Sequence, residues 1–151
     1  MRHTFDITMK NRDLLLRYLE TSSLDNLNRI PKPFNNNIFW NIKHVIVTQQ
    51  ALVYGLSGLP MHVSTEEFDS YKKGTRPEKD VTKEEVELCK NQLHALIEKT
   101  EEDWNEGIFT RYKPYTVTTK TRLTSAQEAI EFNNFHEGIH LGMVLQLRKF
   151  I

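Results

Sequence analysis

Residues 132–150 read FNNFHEGIHLGMVLQLRKF, with His136 and His140 four apart in an otherwise apolar stretch. On a helix this spacing puts both rings on one side, where both can reach a single ion. With His136 at the origin of a helical wheel, His140 falls at about 40°, and Ala129, Phe132, Met143, Leu147 and Phe150 within about 40° of His136. The pair therefore points the way the core points. Two readings follow, two ligands of a metal site or two packed histidines that need hydrogen-bond partners. Spacing alone leaves both open.

The string His136-Glu137-Gly138-Ile139-His140 also satisfies H-E-x-x-H, in which two histidines bind zinc and the glutamate acts as general base. A protease of that type needs a third ligand, usually downstream. No histidine, aspartate or glutamate follows His140. Nor does the chain show an evident edge strand on which to hold an extended peptide. The protease reading is set aside, and Glu137 reads as a solvated helix residue.

The histidines lie on the last of four helical segments. Residues 4–22 place Phe5, Met9, Leu15, Leu16 and Leu19 at helical spacing. An Asn- and Pro-rich loop follows, with Leu24, Leu27 and Ile30 expected beneath it. A second helix is capped by Asn36 or Asn37 and runs to about Ser57, where Gly58 and Pro60 end it. Thr82 and Glu85 form a capping box at the start of a third, which continues to about residue 105. The last starts at Thr124 or Ser125 and runs almost to Ile151. Between the second and third helices STEEFDSY can form one or two helical turns, and residues 107–123 read as an extended loop or short hairpin. The sequence therefore predicts an all-α chain, a four-helix bundle in a single domain over residues 1–151. Its connections of about 24 and 19 residues exceed ordinary helix–helix loops, and loops of that length often pack over a site.

The second helix is apolar nearly all round, which implies burial on two sides. His44 lies with Trp40, Val47, Ala51 and Gly55 on the reverse of its aliphatic stripe, and the wheel does not say what that side meets. On the last helix, Gly138, Leu141, Gly142 and Leu145 lie opposite the histidines. Two glycines four apart suggest close backbone packing, either with another helix of the chain or across a homodimer.

The 20 basic and 20 acidic residues balance, so no basic excess points to nucleic acid or a membrane surface. No stretch reads as a membrane span or a signal peptide. Cys89 is the only cysteine, which excludes an intrachain disulfide and fits a reducing, cytoplasmic setting.

Three strings taken together, FWNIKHVIVTQQALVYGLSG, EEFDSYKKGTRP and FHEGIHLGMVLQLRK, resemble the DinB/YfiT-like superfamily of metal-dependent proteins in order and spacing. The resemblance spans about residues 13–150. It implies an up-down-down-up four-helix bundle with a long crossover between helices two and three. It implies a metal triad of His44, His136 and His140 holding a divalent transition ion, zinc or nickel, and a homodimer. It further implies either thiol-dependent transfer with a low-molecular-weight thiol or hydrolase-type chemistry on a small molecule. A non-catalytic, stress-linked dimeric metal-binding protein is the alternative. Trp40, Thr48, Asn133 and Glu137, adjacent in sequence or one helical turn from a histidine, are the candidate pocket residues.

Overall fold

The computed structural model describes residues 1–151 and is predominantly helical. Its helices are α1 (Arg2–Thr21), α2 (Leu24–Asn28), α3 (Ile38–Val53), α4 (Thr65–Tyr71), α5 (Lys83–Asn105) and α6 (Ala126–Leu147). Short 3-10 turns follow α3 at Gly55–Ser57 and α6 at Arg148–Phe150. Two strands of two residues each, β1 (Tyr115–Thr116) and β2 (Arg122–Leu123), pair antiparallel as a small hairpin. None of the helices is long and apolar enough to cross a membrane.

Local chemistry explains the helix starts. Asn37 caps α3 by accepting from the Trp40 amide at 2.8 Å. Reciprocal capping boxes start α4 at Ser64/Glu67 and α5 at Thr82/Glu85. Ser125 caps α6 by accepting from the Glu128 amide.

α3 is the central element. It packs along α6, and α1 packs against both α5 and α6. Ile38, Ile42, Ile46 and Val47 form the core with Leu15, Leu93 and Val144. A second apolar cluster gathers Phe5, Val53, Tyr54, Ile97 and Ile130, with Leu123 of the hairpin closing it. Of the sixteen residues of α3 only Thr48 and Ala51 escape burial. Its two buried sides are thus the aliphatic core and the side that carries His44.

Two expectations change. Leu24 and Leu27 do pack under the loop, as part of the short helix α2, but Ile30 is exposed. Gly138 and Gly142 do not mark close packing within the chain, because a Cβ at either would meet nothing within 4 Å. That face of α6 is open.

The long connection before α5 is tied down rather than loose. The buried ammonium of Lys43 on α3 donates to Glu67 of α4 at 2.5 Å and to Gln92 of α5. Burial alone would raise the Glu67 carboxyl, but the Lys43 contact and the Ser64 amide outweigh it and hold it down to about 2. This polar junction fixes α4 against the helix that carries His44.

Candidate metal centre

α3 and α6 run alongside each other, and their contact brings His44 against His136 and His140. Ring centroids are 5.2 Å apart for His44–His136, 4.7 Å for His44–His140 and 4.6 Å for His136–His140. One nitrogen from each ring lies within 4.8 Å of the other two, so the three can hold a metal ion.

The hydrogen bonds assign tautomers. Tyr71, the last residue of α4, offers a helix-terminal carbonyl that accepts from His44 Nδ1 at 2.6 Å. Nε2 of His44 is therefore the bare nitrogen, and the Thr48 hydroxyl donates to it at 3.3 Å. Asn41 acts in the same way on His140. Its amide nitrogen donates to the Asn37 carbonyl at 2.8 Å and to Asn36 Oδ1 at 3.0 Å, which fixes its oxygen toward the ring. That oxygen accepts from His140 Nδ1 at 2.9 Å and leaves Nε2 with its lone pair. Both rings are thus oriented as neutral ligands by a partner on the far nitrogen, the arrangement that metal-binding histidines require. Trp40 stacks on His44 at 4.7 Å and 9°, holding the ring from a third side.

Electrostatics favour the same neutral state. Burial, then the charges that His140, His44 and Arg12 would present, push the His136 ring down to about 3. Burial, then His44, pushes His140 down to about 4. Burial also lowers His44, opposed in part by the Tyr71 carbonyl. At neutral pH all three imidazoles are uncharged and competent to ligate.

The buried face of α6 is centred about 80° round the helix from His136, running through Ala126, Ile130, Asn133, Glu137 and Val144. The histidines stand on its flank, between the core and a cleft of about 700 Å³. His44, His136 and His140 line that cleft together with Thr48 and Ala51.

The four candidate pocket residues divide. Thr48 lines the cleft. Trp40 braces His44 but borders a different depression, beside α4 and residues 75–81. Asn133 and Glu137 are not on the cleft wall; they are 2% and 0% exposed. Glu137 is not a solvated residue either. Its Oε1 accepts from Arg12 Nη2 at 2.7 Å, from Arg12 Nε at 2.9 Å and from Asn133 at 2.6 Å. A carboxylate so held cannot serve as the base of an H-E-x-x-H site. It braces α1 against the helix that carries two of the histidines.

The model of the DinB superfamily matches residues 8–144, nearly the whole chain. The chain belongs to the DinB superfamily. No curated protein matches it. In this DinB protein, sequence reasoning missed Asn41, the Tyr71 carbonyl and Arg12. Asn41 did leave a signal, as a polar residue one turn before His44 on a helix that is mostly apolar. Asn41→Ala should leave the fold intact and free the His140 ring. Divalent-metal affinity should fall about 10–100-fold, as isothermal titration of metal into stripped protein would measure.

The remaining histidines lie elsewhere. His62 packs edge-on to the Tyr54 ring at 4.8 Å, with Asp103 3.8 Å from its Nε2. His94 Nε2 lies 3.0 Å from an Asp13 carboxylate oxygen, and His3 sits at the start of α1.

Proposed function

We propose that this DinB protein is a metal-dependent enzyme in which His44, His136 and His140 hold one divalent transition ion, zinc or nickel, at the inner end of the cleft. The observation that carries the proposal is the convergence of three imidazoles, two of them held as neutral ligands by Asn41 and the Tyr71 carbonyl. The up-down-down-up four-helix arrangement of α1, α3, α5 and α6, with residues 54–82 as the crossover, goes with this reading.

A divalent ion held by these three neutral imidazoles would keep its full charge, and the chemistry it would supply is acidification of a water or a thiol. The chain's own residues narrow the choice of nucleophile. Cys89, the sole thiol, is fully buried, and that burial pushes it up to about 11. Glu137 is locked to Arg12. The cleft wall offers the Thr48 hydroxyl and the ammonium groups of Lys72 and Lys73, but no thiol and no carboxylate. The nucleophile therefore arrives from outside, as a low-molecular-weight thiol or as water. This supports thiol transfer to an electrophile, with hydrolysis as its near relative. Thr48, 3.3 Å from His44 Nε2, is placed to orient the incoming group.

The test is turnover by zinc- or nickel-loaded protein, with a small thiol plus an aryl halide for transfer and an aryl ester for hydrolysis. Thiol-dependent turnover that disappears on chelation and in His140→Ala is expected. The absence of turnover beside strong metal-dependent stabilisation would favour the second reading, a non-catalytic metal-binding protein, whose supporting observation is this same lack of a protein nucleophile. A homodimer through α6 goes with either reading. Its support is the open face carrying Gly138, Gly142 and the exposed Leu145. Sedimentation should give twice the chain mass, and Gly142→Arg the monomer.

A further inference from the structure

We propose that the cleft selects an anionic small molecule with an apolar body, with Lys72 and Lys73 meeting the anion and α6 covering the body. The inference rests on the metal reading only for which end of the cleft reacts; the charge argument holds without it.

One wall is apolar. Leu52 and Leu56 lie behind it, and Phe132, Phe135 and Ile139 of α6 face the opening. Phe135 and Ile139 are 53% and 49% exposed, and both line this one cleft. Large apolar side chains gathered on a concave surface favour a ligand that covers them. A volume of about 700 Å³ suits a small molecule.

The other wall is cationic. Lys72 and Lys73 follow directly on Tyr71, whose carbonyl orients His44, and both are exposed. Asp69 holds Lys72 at 2.7 Å over the Phe68 ring, 5.6 Å from ammonium to centroid. Lys73 has no carboxylate within ion-pair distance. The cleft lining contains no aspartate or glutamate, although acids and bases are equal in number along the chain. The remaining polar groups there are hydroxyls, including Thr118 and Thr119 of the hairpin turn, and neutral imidazoles. The unpaired Lys73 ammonium, with Lys72 beside it whose charge Asp69 offsets in part, gives a positive field against low-dielectric walls that attracts anions and repels cations. A divalent ion among neutral ligands would add to that field.

The experiment compares 4-phenylbutyrate with the neutral 4-phenylbutan-1-ol by calorimetric titration, on chelator-stripped and zinc-loaded protein and on the K72Q/K73Q double variant. The carboxylate should bind about tenfold more tightly than the alcohol, with a preference that weakens at high salt. In K72Q/K73Q that preference should disappear while alcohol affinity stays the same. Equal affinities in the parent protein, or no binding of either probe, would overturn the proposal. So would a carboxylate preference seen only with zinc and unchanged in K72Q/K73Q, because the anion would then be a metal ligand; the metal reading would survive. Lysine-dependent preference in a protein that takes up no metal would sustain this proposal and remove the other.

Discussion

Arg12→Met should destabilise the protein by about 3–5 kcal/mol, the cost of leaving a buried carboxylate without its partner. Arg12 and Glu137 are both 0% exposed, and the guanidinium makes two bonds to a single carboxylate oxygen. Asn133 supplies only one further donor to that oxygen. In a chain of this size the loss corresponds to a fall in melting temperature of roughly 10 °C or more. The double substitution Arg12→Met with Glu137→Leu should recover most of it, because an apolar pair of similar volume removes the stranded charge. Thermal unfolding of the three proteins checks this. A single variant as stable as the parent would show that the pair contributes nothing to joining α1 and α6.

Acidification should unfold the metal-free protein through its histidines before its carboxylates. The His136 and His140 rings, at about 3 and 4, lie far below the ordinary histidine value of 6.5, and His44 is also lowered. The unfolded chain therefore binds more protons than the folded one once pH drops below about 6.5. The stability these neutral rings contribute is complete above pH 6.5 and is lost progressively as pH falls through their folded values. Glu67, held at about 2 against an ordinary 4.5, adds the same sign of dependence only below about pH 4.5. The window from 6.5 to 4.5 thus belongs to the histidines, at up to about 1.4 kcal/mol per pH unit for each proton taken up. Urea midpoints measured across that window should fall steeply in the parent and much less in His136→Asn/His140→Asn. Metal loading should shift the fall to lower pH, because protons and metal compete for the same nitrogens.

Most of the helical layout was legible because it is written in local chemistry. Caps at Asn37, Thr82 and Ser125 and the stops at Gly58 and Pro60 depend on neighbours within a few residues. The side of α3 that carries His44 was not legible from the wheel, because α3 is apolar on both sides and periodicity has no direction to report. Family resemblance implied where His44 turns, and the packing of α3 on α6 places it there. The brace beneath the histidines was missed for a similar reason. Phe5, Thr8, Arg12, Leu15 and Leu19 make a regular buried stripe on α1, but an arginine within it reads as surface until its partner on α6, 125 residues away, is seen. The same blindness made Glu137 look solvated. The glycines of α6 left two readings open and the structure removes only the one within the chain, since small residues mark an available face without saying whether the same chain fills it.

The central claim is that His44, His136 and His140 act as one metal site, and the most direct measurement is metal stoichiometry. Chelator-stripped protein titrated with zinc or nickel, and untreated protein analysed by plasma mass spectrometry, should both give close to one ion per chain. His44→Ala, His136→Ala and His140→Ala should each bind far less while remaining folded by circular dichroism. A parent protein that takes up no more metal than these variants would contradict the account.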